Sequence, residues 1–120
     1  MEKVKAKIEE AKLYKISELF RKRPRGISIG VTDAIVISAK PEKGEIVKET
    51  LYARLKADGT FTTSVLGGAR LRNDRLASFL KQYKIAQDIK EYNVKENIDK
   101  WKGKEIEIVP YKEGGYIYIP

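Results

Sequence analysis

Apolar and polar positions along this chain repeat with two different periods. Over residues 2–22, Val4, Ile8 and Ala11, then Leu13, Ile16 and Phe20, recur mostly at three- and four-residue spacings among Glu and Lys, with neither Gly nor Pro. That spacing predicts an amphipathic N-terminal helix, ended before Arg23-Pro24 because a residue preceding proline is pushed out of the α region. The stripe drifts, with Leu19 between, so the helix is no strict heptad zipper; one half packs on the domain and the other covers a sheet edge or a second subunit. Over residues 27–39 the period becomes two. Ile27, Ile29, Val31, Ile35, Ile37 and Ala39 share one face, with Ser28, Gly30, Thr32, Val36 and Ser38 opposite. This predicts a long strand with Gly30 at an internal bend or bulge. A turn at 40–44 leads to a second strand at 46–57, and a third at 60–66 follows Asp58-Gly59.

The loop between the second and third strands decides what their outer face carries. A two-residue loop sets Leu55 against Thr62 and mixes polar and apolar residues on both faces. A three-residue loop, Ala57-Asp58-Gly59 with Gly59 left-handed, sets Leu55 against Phe61 and Leu51 against Val65. Burial selects the second register, because a one-residue slip would expose the apolar set. The other face then reads Tyr52, Arg54 and Lys56 beside Thr60, Thr62 and Ser64, a plausible platform for a nucleic-acid backbone and bases.

Further along, Gly67 to Arg72 form a Gly-rich arginine loop before a helix capped by Asn73, with Asp74 in its first turn. Leu76, Phe79, Leu80 and Tyr83 fall at i, i+3, i+4 and i+7, which is core spacing. A glycine–arginine loop before a helix N-terminus is a ready anion site, although it lacks the spacing of a nucleotide P-loop. Asn93-Val94-Lys95-Glu96 is a capping-box pattern opening a short helix through Trp101, read as a core anchor, which Gly103 stops. Two closing strands follow, Ile106 and Ile108 alternating with Glu105 and Glu107, then residues 116–119. Ile117 and Ile119 are expected inward and Tyr116 and Tyr118 outward.

Composition narrows the chemistry. The 120 residues contain no Cys and no His and carry a formal charge of +8. Thiolate chemistry, cysteine-ligated metals and the commonest general base are thereby excluded. The charge is local. Residues 1–25 hold nine Lys/Arg against four Asp/Glu and residues 66–84 hold five against one, while 26–65 balance and 85–120 are slightly acidic. All seven arginines lie between positions 21 and 75. The Lys–Glu usage of the flanks resembles that of thermophiles, but an arginine cluster with few acids points to a polyanion, since the guanidinium fork binds phosphate bidentately. No apolar run spans a membrane and no secretory signal is visible, so a cytoplasmic protein is expected.

The expected fold class is α+β in one domain of residues 1–120. A 1–22 helix precedes a 26–120 β-rich core with a helical insertion at about 73–102, in the order β-β-β-α-α-β-β. The sheet has five mainly antiparallel strands, or forms a small barrel; a plain α+β sandwich is the competing architecture. Three features resemble the OB-fold family of single-stranded nucleic-acid binders: the internal glycine Gly30 of the long first strand, the Lys56-Ala57-Asp58-Gly59-Thr60 hairpin, and Trp101-Lys102-Gly103-Lys104-Glu105-Ile106 entering the fourth strand. The resemblance implies a ligand surface on strands two and three and the loops at 40–45 and 111–115. It departs from the family in its extra N-terminal helix and in the long stretch from Gly67 to Gly103.

The expected function is non-enzymatic, largely sequence-independent binding of nucleic acid, single strands before duplex. Arg21, Lys22, Arg23, Arg25, Arg70, Arg72 and Arg75 would neutralise phosphates, and Tyr52, with Arg54 and Lys56, would stack on or flank bases. No cofactor or metal is expected. A second reading is an assembly, adaptor or virion-associated protein that uses residues 1–22 to form a homodimer or to dock. A third is a carboxylate–metal nuclease built on Asp33, Asp58 and Asp74, which is disfavoured because a turn explains Asp58 and a helix start explains Asp74.

Overall fold

A computed structural model describes residues 2–22, 25, 27, 30–62, 74–111 and 114–119. The elements are β1 (Val4–Lys15), α1 (Ile16–Leu19), β2 (Asp33–Pro41), β3 (Val47–Ala53), α2 (Arg75–Gln82), α3 (Val94–Asn97), a 3-10 turn η1 (Ile98–Trp101), β4 (Glu105–Tyr111) and β5 (Gly114–Ile117). The five strands form one sheet in the order β3-β2-β1-β4-β5, each neighbouring pair antiparallel. β3 and β5, the two ends of that order, lie side by side. The sheet is thus a nearly closed barrel, compatible with an OB-like fold.

The N-terminal helix expected over 1–22 is not there: residues 4–15 are the central strand. The physical reason is a β-bulge. Ile8 pairs with Ala39 and Glu10 with Ser38, leaving Glu9 as an extra residue. Core-facing positions therefore run Val4, Ala6, Ile8 and then jump to Ala11 and Leu13. An inserted residue converts a two-residue period into the spacing 4, 8, 11, which imitates a helix. Only Ile16–Leu19 is helical, and a buried strand between β2 and β4 is not the dimerising helix of the second reading. The strand expected over 27–39 begins at Asp33, so Gly30 lies in the connection before β2 and not inside a strand.

The three-residue loop at 57–59 is as expected. Leu55 bridges Phe61, the Lys56 N–H donates to the Thr60 carbonyl at 2.7 Å, and Gly59 has φ +99°. Leu51, Ala53, Leu55 and Phe61 are all buried, while Ser64 and Val65 lie outside the described residues. A third strand over 60–66 reduces, among described residues, to bridges at Thr60 and Phe61. Burying each such Leu or Phe contributes roughly 1.5–3 kcal/mol, which is what fixes this register.

Helix α2 closes the barrel's core with Leu76, Phe79 and Leu80, and Phe79 meets the buried Trp101 ring at 5.7 Å. Its N-cap is Asp74, which accepts from the Ala77 N–H at 2.8 Å; Asn73, the expected cap, lies outside the described residues. The seam between β3 and β5 is joined by side chains. Glu49 accepts from the Ile117 N–H at 2.7 Å and from Arg75 Nε at 2.8 Å, and Arg75 Nη2 donates to the Ile117 carbonyl at 3.0 Å. Glu49 and Arg75 together stand in for a strand partner to Ile117.

Candidate nucleic-acid interface

Register fixes which side chains share the outer face of β1, β2 and β3. One row is Tyr14–Ala34–Tyr52, the next Lys12–Val36–Thr50, and the third Glu10–Ser38–Lys48. Tyr52 is 37% exposed, Tyr14 is half-buried, and Ala34 between them is fully buried. The two tyrosines stand two strand spacings apart, about 10 Å between backbones, and flank Ala34, whose methyl is covered and not open to solvent. This is a shallow aromatic platform at one end of the sheet.

The connection from β1 to β2, residues 16–32, starts and ends beside that row. It carries Arg21, Lys22 and Arg25, all exposed. Arg54 follows β3 on the same end, half-buried, and its guanidinium carbon lies only 3.3 Å from where a Cβ on Gly30 would sit. Gly30 thus admits a flat cation over the backbone of the connection. Lys56 is exposed one turn further on. Tyr52, Arg54 and Lys56 follow one another along and beyond β3, and Arg21, Lys22 and Arg25 belong to the connection that begins and ends beside the Tyr14–Ala34–Tyr52 row.

Other expected residues fall elsewhere. Arg75 is held by Glu49 and by the Ile117 carbonyl, so its guanidinium is occupied by the seam. Arg23, Arg70 and Arg72 lie outside the described residues, as does the glycine–arginine loop. Thr60 is engaged locally, its hydroxyl and N–H both bonded to Asp58, which holds that carboxyl below its ordinary range. Tyr14, Lys12 and Lys48 are the contributors that sequence reasoning missed. The adjacent acids Glu9-Glu10 were the available signal, since reading a bulge there places residues 10, 12 and 14 on one face.

Electrostatics of the platform are mixed. Lys12 and Glu10 pair at 2.9 Å, which pushes the lysine up and the glutamate down from their usual values. Lys48 forms no ion pair among the described residues. Beneath the connection, Asp33 is buried at 1% exposure, bonded by the Thr32 hydroxyl at 2.6 Å and paired with Lys15 at 3.1 Å. That satisfied network explains Asp33 as an anchor for the start of β2. Asp58 serves its turn and Asp74 its helix. Among the described residues, no three acidic side chains converge to hold a metal ion, and no helix is long and apolar enough to cross a membrane.

No family model, curated protein or solved structure matches this chain at a significant level. The site therefore rests on geometry alone.

Proposed function

We propose that this chain is a non-enzymatic protein that binds single-stranded nucleic acid with little sequence preference. The observation that carries this reading is the Tyr14–Ala34–Tyr52 row at the foot of a connection bearing exposed Arg21, Lys22 and Arg25. Bases stack on the tyrosine faces, at about 1–3 kcal/mol each and with tolerance for any base. The cations of the connection, with Arg54 and Lys56, take the phosphates and release counterions. Partly exposed tyrosine faces suit unpaired bases, and among the described residues no helix rich in Asn, Gln and Arg offers groove readout of a duplex. The OB-like arrangement of strands supports the same reading, because such barrels offer this part of the sheet to oligonucleotides.

The test is a titration of labelled single-stranded DNA, RNA and duplex of equal length over a series of salt concentrations. Single strands are expected to bind more tightly than duplex, with log K falling linearly against log salt by about 0.7 for each phosphate neutralised. A flat salt dependence, or preference for duplex, overturns the reading.

A further inference from the structure

A pocket of about 230 Å³ lies where the chain just past α2, the turn η1 and the approach to β4 meet. Its lining includes Lys84, Lys100 and Lys104 and, among the described residues, no carboxylate. None of these lysines forms an ion pair among the described residues. Asp88, Glu91 and Asp99 are exposed and do not line the pocket, and Glu105, next to Lys104, pairs with Lys5 at 3.6 Å. The neutral polar groups favour an acceptor as well. Tyr92 is half-buried, and its hydroxyl accepts from the Trp101 Nε1–H at 2.7 Å, so its own proton is left for a further acceptor. Burial holds this phenol above its ordinary range, which keeps that proton in place. Asn97 is spent: its Nδ2 donates to the Asn93 carbonyl at 2.7 Å, and its Oδ1 accepts from Lys100 Nζ at 3.2 Å. That bond tethers the Lys100 ammonium and leaves it two N–H groups.

The backbone supplies an independent observation. Lys84, at φ 54°, is the only residue other than glycine in the left-handed region among the described residues. It directly follows Tyr83, the C-cap of α2, where glycine is the usual occupant because a Cβ is strained there. Strained residues cluster at ligand sites, and the side chain carried here is one of the pocket's cations. We propose that this pocket binds a compact polyvalent oxyanion, a phosphate or diphosphate group, held by the three lysines and the Tyr92 hydroxyl. Its volume is below the roughly 300–1,000 Å³ of pockets that enclose drug-sized ligands, so it takes the anionic group and leaves the rest of a larger molecule outside. Phosphate suits it better than a single carboxylate, because two or more negative charges answer three cations. Two sources carry such a group: a free phosphorylated small molecule and the terminal phosphate of a nucleic-acid strand. The pocket shares no residue with the tyrosine row, so the inference does not rest on the nucleic-acid reading.

The experiment uses the full chain, isotope-labelled for NMR, and pyrophosphate alone as the probe. Trp101 is the chain's single tryptophan, so its indole N–H reports on the pocket directly. Pyrophosphate is expected to shift that signal and the amides of residues 84, 92 and 100–104 saturably, with a Kd below about 1 mM, while chloride at matched ionic strength leaves them in place. Lys84→Gly is expected to weaken binding about tenfold with a Tm at or above that of the parent, because the strain is relieved. Lys104→Gln should weaken it similarly, and Lys90→Gln, the same loss of charge on an exposed lysine outside the pocket, should leave the Kd unchanged. Displacement of pyrophosphate by a trinucleotide with a terminal phosphate, but not by its hydroxyl-ended form, supports the site with a strand end as the source. Displacement by neither supports it with a free small anion as the source. The proposal is overturned if pyrophosphate gives no saturable shift, if chloride matches it, or if the Lys84 and Lys104 variants bind as the parent does. It is also overturned if Lys90→Gln weakens binding as much as they do, or if the hydroxyl-ended trinucleotide displaces pyrophosphate as well as the phosphorylated one.

Discussion

Removing the tyrosine rings gives the sharpest test of the platform. Tyr52 is 37% exposed and Tyr14 half-buried, so only part of each ring face is free to stack. The expected loss for Tyr14→Ala or Tyr52→Ala is therefore in the lower part of the stacking range, about 1–2 kcal/mol each, or roughly 5–30-fold in Kd. If the two rings hold separate bases, the double variant loses the sum; if binding at one ring depends on the other, the loss departs from the sum. Fluorescence anisotropy with an oligothymidylate at several salt concentrations measures both quantities needed. Ring removal should change affinity without changing the salt slope, because every phosphate keeps its cation. Replacing Arg21, Lys22 and Arg25 by Gln should instead flatten the slope, by about 0.7 for each phosphate no longer neutralised. Tyr111, 63% exposed on the β4–β5 hairpin, separates this platform from the wider surface that the OB resemblance implies, which includes residues 111–115: Tyr111→Ala should leave binding unaltered. Equal losses from Tyr111 and Tyr52 would refute the assignment of the platform, as would a Tyr14→Ala variant that binds normally.

Three further outcomes test the scaffold. Gly59→Ala, at φ +99°, drives a Cβ into the Asn93 carboxamide oxygen and within 2.5 Å of the Lys95 Cβ; left-handed strain plus a disturbed cap should cost about 2–4 kcal/mol, a Tm loss of about 8–15 °C by thermal melting. Glu49→Ala leaves the Ile117 N–H without its acceptor and should cost about 1–3 kcal/mol, with faster hydrogen exchange at Ile117, whereas Glu49→Gln, which keeps an acceptor, should cost less. Burial holds the Asp74 carboxyl above its ordinary range, so its stabilising contribution is present below the unfolded carboxyl pKa and is lost as pH rises through the folded one. Asp74→Asn keeps an N-cap, so the Tm of the variant relative to the parent should rise from about pH 3 to pH 7; a constant difference would refute the sign.

The parts of the fold legible in the sequence were those where one local rule acted alone. Gly59 needs a left-handed turn, Asn93 caps a helix, and Leu76, Phe79 and Leu80 hold a helical stripe on the core. The first strand was illegible because two rules overlapped: alternation interrupted at Glu9 gives the same apolar spacing as a helix, and only pairing with β2 and β4 decides between them. That single misreading hid Tyr14 and Lys12, which need strand geometry to reach the face of Tyr52. The engagement of Arg75 was illegible for a different reason. Its sequence neighbourhood is cationic, but Glu49 lies 26 residues upstream, and long-range pairing of this kind leaves no local pattern.

The position of β1 also governs how the chain must be made. Val4 to Lys7 pair with residues 105–108, so this strand is synthesised long before one of its two partners. Until then one side of its backbone is an open edge, the kind that recruits other chains. Closing a loop of this span also slows folding relative to locally paired folds. A ribosome-bound or truncated chain lacking β4 should therefore be the aggregation-prone form of this protein.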